Sequence, residues 1–104
     1  MSYRLAFHPG VRDDLLRILR LVADHSGREA AERRLAEIEA AVRALADTPH
    51  KGSLRHEIAP GLRAIPAGRR AVVAFTADDA SRTVLVHAIS YGGADWISVI
   101  HRRR

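Results

Sequence analysis

His87 and Tyr91 stand four residues apart in an apolar segment, and a histidine with a tyrosine is a pair able to take and give a proton. Arg63 and Arg70 add planar guanidinium groups suited to flat, forked contacts with carboxylate or phosphate. Four residues along one strand, at roughly 3.3 Å each, would set His87 and Tyr91 about 13 Å apart, too far for one phosphate to touch both readily. A bend at Gly92 would shorten that span, and His56 or Lys51 from a neighbouring loop could join the set. Against the catalytic reading stands a structural one, in which His87, between Val86 and Ala88, is a packed and hydrogen-bonded histidine. Arg63 and Arg70 would then be solvated residues of an open sheet face.

Other chemistries find less support. The six histidines, at 8, 25, 50, 56, 87 and 101, match no zinc spacing, and with no cysteine in the chain neither a metal site nor another cofactor is expected. The lack of cysteine also excludes disulfides and thiol nucleophiles, so the cytoplasm is the expected compartment. Met1-Ser2-Tyr3-Arg4 leads into no apolar signal core, and no apolar run reaches bilayer length, so no membrane association is expected. Seventeen Lys and Arg against twelve Asp and Glu give a formal charge of +5, which implies an acidic partner.

With 104 residues, 47% hydrophobic and 28% charged, the chain suits one globular domain spanning 1–104. Tyr3, Leu5 and Phe7 alternate with polar or small residues, which predicts an opening strand with one buried face. Pro9 suits a first helical turn, and Asp13 and Asp14 suit the positive end of a helix, so a helix is expected from about residue 9. Its stripe is Val11, Leu15, Ile18, Leu19 and Val22, with Arg12, Arg17 and Arg20 outside it. Ser26-Gly27-Arg28-Glu29 reads as a capping box that opens a second helix, with Ala31, Leu35, Ile38, Val42 and Leu45 buried and Glu29, Arg33 and Glu37 as a charged outer ladder. Pro49 ends that helix. The short connection predicts an antiparallel helical hairpin.

Residues 50–60 lack a clean period and read as a long loop. Residues 61–66 and 69–75 read as strands about an Ala67-Gly68 turn, and Thr83–Ile89, apolar on both faces, as a central strand. Gly92-Gly93 breaks the pattern before a short capped helix near Asp95–Ile100, in which Trp96 reads as a core plug; Arg102–Arg104 reads as a solvated basic tail. The expected fold is therefore α+β: an N-terminal strand, an antiparallel helical hairpin packed on a mainly antiparallel sheet with a three-strand C-terminal meander, and a short C-terminal helix.

A two-residue turn at Ala67-Gly68 would pair Ile65 with Arg70 and Arg63 with Val72. Leu62, Ala64, Ala71, Val73 and Phe75 would then floor the helices, while Arg63 and Arg70 would point away from the core. Leu85, His87, Ile89 and Tyr91 would share one side of the last strand, with polarity placing His87 and Tyr91 beside the two arginines.

The run His56-Glu57-Ile58-Ala59-Pro60-Gly61-Leu62-Arg63-Ala64-Ile65-Pro66-Ala67-Gly68-Arg69 resembles the middle segment of ParE toxins, which carry a similar Pro-Gly-Leu-Arg run and an x-Gly-Arg hairpin. The opening strand with Pro9 and Asp14-Leu15, the Thr48–Gly52 helix exit and Gly92-Gly93-Ala94-Asp95-Trp96 extend the resemblance over nearly the whole chain. It implies membership of the ParE/RelE superfamily, with the ParE branch the better match, and a bacterial toxin held inactive by a ParD-like antitoxin with an acidic C-terminal segment. ParE-like members poison DNA gyrase without being nucleases; RelE-like members cleave messenger RNA at the ribosome. The dense Lys and Arg cluster of the RelE branch is not evident here, although Tyr91 departs from the His that many ParE members carry before the Gly. As a gyrase inhibitor the chain would not be an enzyme. As an endoribonuclease it would use His87 or Tyr91 with Arg63 and Arg70. Target or antitoxin contacts would fall to Arg12, Arg17, Arg20, Arg63 and Arg70, the first three forming a basic groove unless they are merely solvated.

Overall fold

The alternation at the N-terminus gives β1 (Arg4–Phe7), and the helical periodicity after it gives α1 (Val11–Ser26) and α2 (Arg28–Ala44). The computed structural model describes residues 2–103. α1 starts later than Pro9 suggests, because residues 8–10 form a turn of their own. Gly10 N–H donates to His8 Nδ1 at 2.9 Å and Val11 N–H to the His8 carbonyl at 3.0 Å, leaving Gly10 as the N-cap.

The capping box does not form. Ser26 ends α1 in helical conformation, where its hydroxyl cannot serve the first turn of α2, and the N-cap of α2 is Gly27. Gly27 N–H closes α1 on Ala23 C=O at 2.9 Å, while Gly27 C=O opens α2 by accepting from Ala31 N–H at 3.2 Å. One residue thus serves both helices. It does so at φ +89°, a backbone state that side chains rarely adopt, and the chain reverses there into the helical hairpin. The ion pairs of α2 are Arg28 with Glu32, exposed and at 3.0 Å, and Arg34 with Glu37, of which Arg34 is largely buried toward the sheet, instead of the expected outer ladder of Glu29, Arg33 and Glu37.

The segment expected as a plain loop contributes β2 (Ser53–Leu54), followed by β3 (Arg63–Ala67), β4 (Ala71–Asp78), β5 (Thr83–Tyr91) and α3 (Trp96–Arg103). The five strands lie in the order β1-β5-β4-β3-β2, with β1 parallel to β5 and the remaining pairs antiparallel. β5 is interior, as its apolar faces require. α3 is capped by Asp95, which accepts from Ser98 N–H at 3.2 Å and from Ser98 Oγ at 2.6 Å. The helix runs through Arg102 and Arg103, in place of the solvated basic tail that the sequence suggests; Arg104 lies outside the described residues.

The β3–β4 hairpin departs from the expected register. Ala67 pairs with Ala71, leaving Gly68-Arg69-Arg70 as the loop, and Ile65 faces Val73 and Arg63 faces Phe75. This longer loop keeps Arg69 and Arg70 in the exposed turn and sets two buried alanines opposite each other, whereas the shorter one would pair Arg70 with buried Ile65. Ala71, Val73 and Phe75 do floor the helices, joined by Ile65, Ala67, Val84, Val86 and Ile89 and packed against Val11, Ile18, Val22, Ala31, Ile38 and Val42. Leu62 falls instead on the opposite side of the sheet, with Ile58, Ala59, Ala74, Ala88 and Ile100, where half-buried Trp96 and Val99 seat α3. Ala64, opposite Ala74, shares that side.

Candidate functional site

The acid/base pair is taken apart by one residue of backbone. Ala74 pairs with Ala88 and Phe75 with Val86, so His87 is the extra residue of a β-bulge. Beyond the bulge the alternation of β5 is inverted. Val84 and Val86 face the helices before it, and Ile89 and half-buried Tyr91 face them after it. His87 sits on the other side, its Nε2 at 2.9 Å from Thr76 Oγ1. The expected grouping of Leu85, His87, Ile89 and Tyr91 on one side is therefore corrected: His87 and Tyr91 occupy opposite faces of the sheet.

The two sheet arginines are also apart from one another. Arg70 leaves the hairpin turn to lie over the Tyr91 ring, 5.6 Å from its centroid, a cation–π contact. Arg63, at the far end of β3 on the helix side, donates from Nη1 to the His50 carbonyl at 2.8 Å. There it borders a polar cluster in which Asp79 accepts from Tyr3 Oη at 2.7 Å and lies 2.8 Å from His50 Nε2. The hydrogen bond from Tyr3, then that from His50, hold the Asp79 carboxyl below its ordinary range; the same bond to Asp79 raises the Tyr3 phenol. His56 is spent on a turn, its Nδ1 accepting from Gly61 N–H at 3.0 Å. Arg63, Arg70, His87 and Tyr91 thus do not surround one phosphate. Among the described residues no group of three or more His, Asp or Glu is placed to hold a metal ion.

What the fold does assemble is an apolar groove. Its walls are β1, α1 and α2, and its volume is about 610 Å³, lined chiefly by Leu5, Phe7, Leu15, Leu16, Leu19 and Leu35. Phe7 and Leu16, 50% and 39% exposed, form its lips, an uncommon use of large apolar side chains on a surface. Arg12, Arg43 and Glu39 rim it. Leu16 lay outside the stripe of α1 in the sequence, and an unstriped leucine beside an exposed strand phenylalanine is the signal that sequence reasoning could have used.

The helix arginines do not act as one strip. At 100° per residue, Arg12 falls on the flank of α1 that borders the groove, Arg17 falls on the opposite flank, and Arg20 points outward between them. The lining residues agree, with Arg12 at the groove and Arg17 beside β5.

Asp14, the buried charged group among the described residues, is 2% exposed and joins three elements. Its carboxylate accepts from both Arg103 Nη atoms at 2.8 Å and from Ile89 N–H at 3.0 Å, while Arg103 also donates to the carbonyls of His87 at 2.9 Å and Gly10 at 3.2 Å. β1 stops pairing with β5 at Val86, and this ion pair takes the backbone groups exposed just beyond. No sequence motif announces it.

Comparison with known proteins gives one family and one fold. Residues 5–96 match the family described as ParE toxin of type II toxin-antitoxin system, parDE. No curated protein matches the sequence significantly. A structure from the chromosomal ParDE toxin-antitoxin system of Pseudomonas aeruginosa superposes with a TM-score of 0.73 at 20% identity, over 86% of this chain and 96% of that one. A RelBE toxin-antitoxin complex of Mycobacterium tuberculosis gives 0.63 at 18% identity, over 88% and 100%. Escherichia coli toxin RelE, a double arginine-to-alanine mutant in the free state, gives 0.62 at 16% identity, over 99% and 98%.

Proposed function

Because the chain belongs to the ParE toxin family of type II toxin-antitoxin systems, we propose that it arrests growth by binding DNA gyrase and that a ParD-like antitoxin neutralises it. The observation that carries the choice of target is the bulge at His87. A nuclease acting through a ribose hydroxyl needs base, acid and cations around one phosphate, and here His87 and Tyr91 lie on opposite faces, with Arg63 and Arg70 at different ends of β3 and its turn. An inhibitor that works by binding needs no such convergence.

The antitoxin's place is the groove between β1, α1 and α2. Its leucine floor suits the apolar face of an amphipathic segment, and Arg12 and Arg43 suit acidic residues on that segment's flanks. The outer position of β1 in the sheet leaves the groove open along one side.

Purified chain added to gyrase and relaxed plasmid should suppress supercoiling, and prior mixing with the antitoxin should restore it. Transcripts from induced cells should keep their native ends. Normal supercoiling over a wide range of toxin concentration, together with new transcript ends, would overturn the proposal in favour of RNA cleavage.

A further inference from the structure

A second concave surface lies on the other flank of α1. Two hollows of about 130 and 300 Å³ share Leu21 and Tyr91 and so form one trough. α1 contributes Arg17, Leu21 and His25; the opposite wall is Ala94–Trp96, and Arg70 closes one end. Leu21 is 42% exposed, an apolar side chain that no element of the fold covers.

The floor of the trough is the unpaired half of β5. β1 accompanies β5 only from Thr83 to Val86, leaving the edge of residues 87–91 without a strand. His87 C=O and Ile89 N–H on that edge are taken by Arg103 and Asp14. The hydrogen bond from Gly92 N–H to Arg70 C=O fixes the phase of the β4–β5 ladder, so Ser90 and Ala88 turn their peptide groups toward β4, whereas Ile89 and Tyr91 turn theirs away. Among the described residues, neither Ile89 C=O nor Tyr91 N–H has a hydrogen-bond partner. An acceptor and a donor two residues apart on a strand edge are the groups to which an extended peptide adds.

Charge selects the peptide. Arg17, His25 and Arg70 stand on the walls. The two carboxylates nearby are already engaged, Asp14 by Arg103 and more distantly, at 3.7 Å, by Arg17, whose side chain is still 72% exposed, and Asp95 by capping α3.

We propose that this trough binds a short, extended, acidic segment of the protein that the toxin inhibits. Its backbone pairs with Ile89 C=O and Tyr91 N–H, one apolar side chain packs on Leu21 and Trp96, and its carboxylates meet Arg17 and Arg70. This rests on the reading of the chain as a toxin with a protein target. RNA suits the trough less well, because Arg70 already covers a face of Tyr91 and leaves a poor stacking platform beside apolar walls. Since the antitoxin groove lies on the opposite flank of α1, the two contacts are separable by mutation.

The test compares the full chain with Leu21→Asp and with the double variant Arg17→Glu/Arg70→Glu, using Arg20→Glu as a control for net charge. Inhibition of purified gyrase should need about tenfold or more higher concentration of either trough variant, as expected when an anchor or a charge pair at an interface is lost. Growth arrest on induction should weaken in parallel, with melting temperature and antitoxin affinity unchanged. If wild type and both variants inhibit gyrase and arrest growth equally, the trough is not the target site. If wild type arrests growth without touching gyrase, the choice of gyrase fails, and growth arrest by the variants then decides on the trough alone. Transcript cleavage by wild type that disappears in the variants would assign the trough to RNA and overturn the peptide.

Discussion

Arg103 and Asp14, eighty-nine positions apart, meet as a forked pair with both guanidinium–carboxylate contacts at 2.8 Å. The pair fastens the last turn of α3 to the first turn of α1, and through Ile89 N–H and His87 C=O it fastens both to β5. Removing Asp14 leaves the Arg103 charge without a counter-ion, and removing Arg103 leaves the buried carboxylate only the exposed Arg17, at 3.7 Å, with backbone groups unsatisfied beside it. Asp14→Ala or Arg103→Ala should therefore destabilise the fold by about 3–5 kcal/mol. Arg103→Lys should recover only part of this, because an ammonium cannot make two parallel bonds to the carboxylate and still reach two carbonyls. Urea unfolding reads all three, and a loss below about 1 kcal/mol for Arg103→Ala would mean that the pair behaves as an exposed one.

Gly52 occupies a tighter place than its exposed loop suggests. Its φ is +87°, and a Cβ there would overlap the carbonyl oxygen of Ala64 and the side chain of Ile65 in β3. Gly52→Ala should cost about 1–3 kcal/mol through the combined backbone and steric strain. β2 should loosen first, so hydrogen exchange at Ser53 and Leu54 should rise more than exchange in β4. Equal protection of Ser53 and Leu54 in wild type and Gly52→Ala would argue that the loop can shift without cost.

The helices, the β3–β4–β5 meander with its interior last strand and the seat of α3 were legible because each writes its period into the sequence: Val11, Ile18 and Val22 on one helix, Ala31, Ile38 and Val42 on the next, and a doubly apolar β5; the parallel place of β1 beside β5 and the short β2 carry no such mark. What was not legible depends on single residues with no compositional mark. The bulge at His87 inverts half a strand, yet His87 reads like any other strand residue. The Ala67-Gly68-Arg69 turn admits two loop lengths, and only the burial of Ala67 against Ala71 selects the longer. Ser26 and Glu29 had the spacing of a capping box, but Gly27 let α1 run through the serine. In the sequence Asp14 reads as a helix-end charge and Arg103 as part of a tail, because a contact across eighty-nine positions leaves no local trace.

The groove makes a prediction that separates its arginine from the others on α1. Phe7→Glu and Leu16→Glu place charge at exposed apolar lips, so the fold should survive while antitoxin affinity falls by about 2 kcal/mol or more, the scale of an interface anchor. Arg12→Glu should slow association, most at low salt, whereas Arg20→Glu, on the outward side, should leave it nearly unchanged. Surface plasmon resonance at two ionic strengths distinguishes them. Equal effects of Arg12→Glu and Arg20→Glu would return the helix arginines to a single basic strip.

The polar cluster at the far end of the sheet should give the fold an acid-sensitive contribution. Asp79 joins the β4–β5 turn to the residue just before β1 through Tyr3 and to the segment after α2 through His50, and these two donors hold its carboxyl below the ordinary value. A carboxyl whose folded pKa is depressed stabilises the fold above its unfolded pKa of about 3.9, and that contribution is lost as pH falls through the lower folded value. At pH 7 Asp79→Asn should therefore melt below wild type, since the neutral amide oxygen accepts the hydrogen bonds of Tyr3 and His50 less strongly than the carboxylate does. As the pH is lowered through the carboxylate range the gap should close, because the wild-type group then becomes neutral too. Melting curves of both proteins from pH 7 to the acid limit of reversible folding provide the measurement, and a gap independent of pH would assign the effect of the substitution to shape instead of ionisation.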